Sequence, residues 1–190
     1  MRHRVEKLWA PVLSTIGLLG MTVYELHRQG RSWVCSCDHV RFWSGDVWSA
    51  ENSQQLLDPY SLTHMLHGMI FYALFARLLP RVAFKRRLCL AVAFEALWEI
   101  VENSEAVIAR YRGVTAAIGY HGDTILNSLG DILCFGLGFV AARRLGAVRG
   151  VIVFAVTEIL LLIWIKDGLL LNVIMLISPS ASIRAWQIAR

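Results

Sequence analysis

Apolar residues gather along the chain into runs of roughly bilayer length, and the polar residues inside those runs recur at helical spacing rather than alternating as in a strand. The pattern predicts an all-α fold, a polytopic membrane bundle of about five transmembrane helices. The spans are Leu8 to Leu26, Leu62 to Leu79, Leu88 to Ile108, Thr124 to Ala142 and Val151 to Ile165. The second follows Asp58-Pro59-Tyr60-Ser61, with Ser61 as the expected N-cap, and stops at Pro80. Lys166-Asp167-Gly168 interrupts the last span, and the pattern resumes from Leu169 to Ile177. A short amphipathic tail follows Pro179, with Trp186 as an interfacial anchor. No linker separates two units, so residues 1–190 read as one integral membrane domain.

Composition agrees with that pattern: 56% of the 190 residues are hydrophobic and the mean hydropathy is +0.52. The net charge of +5 and pI of 9.3 do not indicate nucleic acid, because the basic residues sit in short clusters beside apolar segments, where they orient a chain in a membrane. With the N-terminus in the cytoplasm, eleven of the nineteen Lys and Arg fall on inner segments, among them Arg2, Arg4, Lys7, Lys85, Arg86 and Arg143. That bias predicts N-in, C-out, with the aromatic loop 28–60 periplasmic and packed partly as a cap. The run from Leu8 to Tyr24 lacks a small-x-small cleavage site and reads as an uncleaved signal anchor.

The chemistry lies in polar residues that this topology brings to one depth. Glu95, Glu99 and Glu102 occupy one face of the third span. Each ionised, unpaired acid in a bilayer costs roughly 2.5–3.5 kcal/mol on the lenient scale, so these three must be protonated, paired, or facing water or a metal. His64 and His67 lie near the outer start of the second span, and Asp123, Asn127 and Asp131 line the outer half of the fourth. Asn103 joins them from the third span, and Glu158 from the fifth. Imidazole with carboxylate suits a divalent metal such as Zn, Mn or Fe. The expected ligands are His64, His67, Glu99 and Asp123, with Glu102 or Asp131 as general base and Glu95, Asn103, Asn127 and Glu158 as supporting groups. The same residues also suit a buried hydrogen-bonded network that fixes helix packing, or a proton relay.

Other motifs add less. Cys35-Ser36-Cys37 with His39 is not the Cys-x-x-Cys redox pattern, and its spacing is poor for an unstrained disulfide, so a structural role or metal contact is expected. His121 is expected at the surface. No serine sits in a Gly-x-Ser-x-Gly elbow, and no glycine-rich phosphate cradle occurs.

Taken in order, Cys35-Ser-Cys37, Glu51-Asn-Ser-Gln54, Asp58-Pro-Tyr60, His64-Met-Leu-His67-Gly, Glu95-Ala-Leu-Trp-Glu99-Ile-Val-Glu102-Asn, Gly122-Asp-Thr-Ile-Leu-Asn127 and Trp186-Gln187 resemble uncharacterised protein family three-one-four. The resemblance covers nearly all the chain beyond the first span. It implies a multi-pass bacterial inner-membrane protein and carries no particular activity. A fainter resemblance, to the VanZ-like group of membrane proteins, rests on His64, Glu99, Asp123 and Asn127, and points to an envelope role.

Three functions are therefore expected to compete. The first is a metal-dependent enzyme acting on a lipid or lipid-linked envelope substrate. The others are a non-catalytic membrane scaffold or binding protein and a proton- or cation-coupled carrier. Membrane lipids are the expected partners.

Overall fold

In the computed structural model, residues 2–117 and 119–189 are described, with side chains from Leu13 onward. The predicted inner charges Arg2, Arg4 and Lys7 thus lie outside the described side chains, as does Arg190. The described residues form helices α1 (Arg2–Arg28), α2 (Pro59–Leu78), α3 (Phe84–Glu102), α4 (Glu105–Val114), α5 (Ile125–Ile165), α6 (Leu169–Ile177) and α7 (Ala181–Ile188). The all-α expectation holds.

Helix α2 begins one turn earlier than Ser61 would place it. Asp58 is the N-cap, accepting from the Tyr60 and Ser61 amides, while the Ser61 hydroxyl accepts from the Asp58 amide. Pro59 at N1 explains the shift: its fixed φ suits a first helical turn, and its missing N–H is one that turn cannot satisfy anyway. The third predicted span also changes. Helix α3 stops at Glu102, and Asn103-Ser104 turns the chain into the separate α4.

Helix α5 is 41 residues long and would measure about 60 Å if straight. It doubles back instead. Gly146 adopts φ 73° and ψ 177°, a left-handed conformation that favours glycine. Gly130 on the first arm packs on the Leu56 backbone, and Trp164 on the second arm stacks on Trp43 with ring centroids 6.0 Å apart. Leu56 and Trp43 belong to one loop, so both ends of α5 return to the same end of the molecule.

Helix α2 packs along the first arm of α5 through glycines. A Cβ at Gly68 would overlap the Phe135 carbonyl, and one at Gly138 would overlap the Met65 carbonyl, so the two backbones touch. Phe75, Ala91, Phe135 and Phe139 fill the space beside this contact. Helix α3 runs opposite to α2, with Phe84 beside Tyr72 and Glu95 beside His64. Helix α1 lies against α3, where Leu18 and Leu19 pack on Val92 and Gln29 Nε2 donates to the Ile100 carbonyl at 3.2 Å.

The loop 29–58 is seated over the bundle, as its aromatic content suggests. The Ser32, Trp33 and Ser53 carbonyls accept from the Ile125, Leu126 and Thr124 amides at 2.8, 3.1 and 3.0 Å. They thereby satisfy donors that the first turn of α5 leaves without a helical partner. Cys35 and Cys37 are joined in a disulfide with Cα atoms 5.2 Å apart, against the spacing argument. That separation lies within the range a disulfide bridges, and the left-handed Asp38 (φ 61°) lets the chain turn away beyond it. Cys37 Sγ is thus occupied, although it lies beside His39 and Glu51.

Among the described residues, α5 alone is long and apolar enough by length and composition to cross a membrane, with a window of mean hydropathy 2.3 that is only 22% buried. The five-span reading therefore goes beyond what helix length and composition show. In α3 the cause is visible, since Lys85, Arg86, Arg87, Glu95, Glu99 and Glu102 dilute its apolar content.

Candidate functional site

Because α2 and α5 start where α3 ends, three polar faces converge. His64 and His67 lie one turn apart on the first half of α2, Glu95, Glu99 and Glu102 on the last half of α3, and Asp131 in the second turn of α5. Glu95 lies between the two imidazoles. His64 Nδ1 is 2.5 Å from its Oε1, and His67 Nδ1 is 2.9 Å from its Oε2, the latter without the alignment of a hydrogen bond. His64 Nδ1 is also 3.4 Å from Glu99 Oε1, and its Nε2 is 4.0 Å from Asp131 Oδ2.

Glu95 and Glu99 are almost completely buried. Neither oxygen of Glu99 has a hydrogen-bond partner, and Glu102 Oε2 and Asp131 Oδ1 lack one too. Buried acceptors without donors are costly, and a cation or a proton is what relieves them.

One donor atom from each of His64, His67 and Glu95 lies within 4.8 Å of the other two, and the same holds for His64, Glu99 and Glu102. Both sets are geometrically compatible with a divalent metal, and two histidines with a carboxylate suit Zn or Fe. The arrangement enlists Glu95 directly, where the sequence suggested only a supporting role. Asp123 does not join either set. It faces Asn103 instead, whose Nδ2 donates to Asp123 Oδ2 at 2.9 Å and whose Oδ1 accepts from the Asp123 amide at 2.7 Å.

Asn103 Nδ2 also lies 3.0 Å from the Glu99 carbonyl and 3.4 Å from Ser128 Oγ, which ties the end of α3 to the start of α5. Burial raises the Asp123 carboxyl above its ordinary range, and hydrogen bonds from Asn103 and Tyr120 partly offset this. Asn127 is buried with both side-chain polar atoms unpartnered. Thr124, not Asp123, caps α5, accepting from the Asn127 amide at 3.2 Å.

Glu158 is removed from the cluster. Its carboxylate accepts from the Leu169 and Leu170 amides at 2.8 and 3.3 Å, and so caps α6. A Cβ on Gly168 would stand 3.0 Å from it, so the glycine gives the cap its room. His121 is exposed, as expected.

A cavity of about 560 Å³ opens onto this cluster. His64, His67, Glu102, Asp123 and Asp131 line its polar part, while Ile70, Phe71, Trp98, Leu169, Val173 and Ile174 line an apolar wall. Three tyrosines that sequence reasoning left aside also reach it: Tyr60, Tyr111 and Tyr120. Tyr60 donates to Asp167 at 3.2 Å, Tyr111 is hydrogen-bonded to Glu102, and Tyr120 donates to Asp123 at 3.1 Å. None of the three shares the helical spacing of the acid rows, so no periodicity points to them, although Tyr120 stands only three residues before Asp123. Asp167 beside the Gly168 turn was visible only as an interruption of an apolar run.

The comparisons agree over nearly the whole chain. Residues 26–189 match the family described as "Protein of unknown function (DUF2585)". The chain is 43% identical over 180 residues to a UPF0314 protein of Paracoccus denitrificans, covering 95% of this chain and 93% of that one. It is 40% identical over 186 residues to one of Rhizobium meliloti, covering 98% and 93%, and 42% identical over 184 residues to one of Novosphingobium aromaticivorans, covering 92% and 91%. No solved structure matches. With identity near 40% over nearly the whole chain, the chain belongs to the UPF0314 family, that of DUF2585.

Proposed function

We propose that the protein is a multi-pass bacterial inner-membrane enzyme, N-in and C-out, that uses a divalent metal to act on a lipid or lipid-linked envelope substrate. The cavity carries this reading, because unpartnered carboxylates and two imidazoles face a space whose other wall is apolar. A substrate suited to both would have a polar reacting end and a hydrocarbon body. His64, His67 and Glu95 hold the metal, which supplies Lewis acidity, and Glu102 is the general base, its Oε2 free of other partners.

Membrane residence is supported by an inverted pattern on α3. Glu95 and Glu99 are buried, while Leu90, Phe94, Leu97 and Val101 form an exposed stripe. That arrangement is unfavourable in water and favourable in lipid. An apolar groove of about 820 Å³ between α1, α3 and α5, lined by Ile16, Leu88, Val92 and Leu133 among others, would accept an acyl chain. A disulfide in the loop agrees with an oxidising periplasm.

Elemental analysis of the detergent-purified full chain tests the proposal. About one transition metal per chain is expected in the wild type, lost in His67→Ala and Glu95→Gln variants that elute and unfold like it. Glu102→Gln should keep the metal and lose turnover of lipid-linked substrates. A wild type that holds no metal after loading with Zn, Mn or Fe would overturn the metal-dependent reading. Full tolerance of Glu95→Gln and Glu102→Gln would favour a scaffold whose acids bind helices together.

A further inference from the structure

Among the described residues, those that line the cavity include four carboxylates, Glu102, Asp123, Asp131 and Asp167, and neither lysine nor arginine. A site built for an anionic headgroup alone would present the reverse, since guanidinium and ammonium groups are what recognise phosphate and carboxylate. Asp123 and Asp167 are already supplied with donors: Asn103 and Tyr120 for the first, Tyr60 and the Gly168 amide for the second. Asp131 is not. It is 3% exposed, lines the cavity, and its Oδ1 has no hydrogen-bond partner. An acceptor of this kind asks for a donor that arrives with the ligand.

Tyr60, Tyr111 and Tyr120 line the same cavity, and Trp98 lies along it. Aromatic faces beside carboxylates favour an organic cation, through the ring quadrupole as well as through charge. The apolar wall from α6, with Leu169, Leu170 and Val173, then takes the hydrocarbon part.

We infer that the cavity recognises an amphiphile with an ammonium headgroup, and that Asp131 receives the ammonium while α6 covers the chain. The inference rests on the reading of this cavity as a lipid site and names the chemical class of its ligand. It makes Asp131 the specificity-determining residue and leaves Glu102 as the base. A zwitterionic lipid satisfies the same chemistry when its ammonium is the end that meets Asp131.

The test is equilibrium binding of radiolabelled dodecylammonium to the full chain in maltoside micelles, competed with dodecyl phosphate or with a neutral dodecyl glycoside. Dodecylammonium should bind at least about tenfold more tightly than either competitor, and Asp131→Asn should weaken it by about tenfold while leaving binding of the glycoside unchanged. Glu105→Gln, an acid outside the cavity lining, should change neither. Equal or tighter binding of dodecyl phosphate would overturn the inference, as would an Asp131→Asn protein that binds the amine like wild type. Metal content measured on the same preparations separates the two proposals. Amine binding by a metal-free wild type sustains this inference against the enzyme, whereas a stoichiometric metal without amine preference does the reverse.

Discussion

Asp167 sits in the turn between α5 and α6, where its Oδ1 accepts from the Gly168 amide at 2.9 Å and its Oδ2 from the Tyr60 hydroxyl at 3.2 Å. Burial nevertheless pushes its carboxyl up to about 6, because the loss of hydration outweighs those donors. The folded chain therefore holds a proton that the unfolded chain, titrating at about 4, has already released. Between those values the native state binds more protons, so stability falls as pH rises from about 4 to about 6 and is level above. At most about 3 kcal/mol is at stake, from the two-unit difference. Thermal unfolding at pH 7 and pH 5 should show a larger gain on acidification for wild type than for Asp167→Asn. An identical gain in both proteins would mean that Asp167 is not the group responsible. Reading the chain alone reaches Asp167 only as a break in hydropathy. Its partner Tyr60 is 107 residues away, and no local pattern joins the two. Glu95, Glu99, His64 and His67 were accessible because helical spacing and the cost of intramembrane charge both act within a few turns.

At the level of elements, the close approach of α2 and α5 places His64 and Asp131 on facing surfaces, and glycine makes it. Gly68 and Gly138 each lie where a Cβ would run into backbone of the other helix, which cannot move aside as a side chain can. Gly68→Ala should therefore destabilise by about 1–3 kcal/mol through forced separation of the helices. Gly20 on α1 has nothing within 4 Å of a Cβ, so Gly20→Ala should be neutral, or stabilising by up to about 1 kcal/mol from helix propensity. Thermal unfolding of both variants in one detergent decides; a Gly68→Ala protein as stable as Gly20→Ala would refute the backbone-contact account. Apolar periodicity gave α2 and the two arms of α5 within a few residues, including the reversal between Ala142 and Val151. It missed the division of the third span, because apolar residues resume at Ala106 beyond the short polar run Glu102-Asn103-Ser104-Glu105. What ends α3 there is a tertiary bond pattern, Asn103 to Asp123, that becomes visible once α5 is packed beside it.

At the scale of the whole molecule, the acids Glu95 and Glu99 turn inward from α3 while Leu90, Phe94, Leu97 and Val101 turn outward, which supports the membrane residence proposed above. The cost argument that singled out Glu95 and Glu99 from sequence applies to their burial here, since it concerns low dielectric rather than any particular helix boundary. The same end of the bundle carries the cavity, the seated loop and the disulfide, so the location of one fixes that of the others. If Lys and Arg orient the chain as their distribution indicates, that end faces the periplasm. An exported-enzyme reporter, active only outside the cytoplasm, should then be active when inserted after Gly45 in the loop and inactive when inserted after Ala147 at the reversal of α5. A membrane-impermeant maleimide should label Cys35 or Cys37 in intact spheroplasts only after mild reduction. Activity at the α5 reversal and silence in the loop would invert the topology. The cavity would then open toward the cytoplasmic leaflet, and an envelope substrate on the outer side could not reach Asp131 or the imidazoles at all.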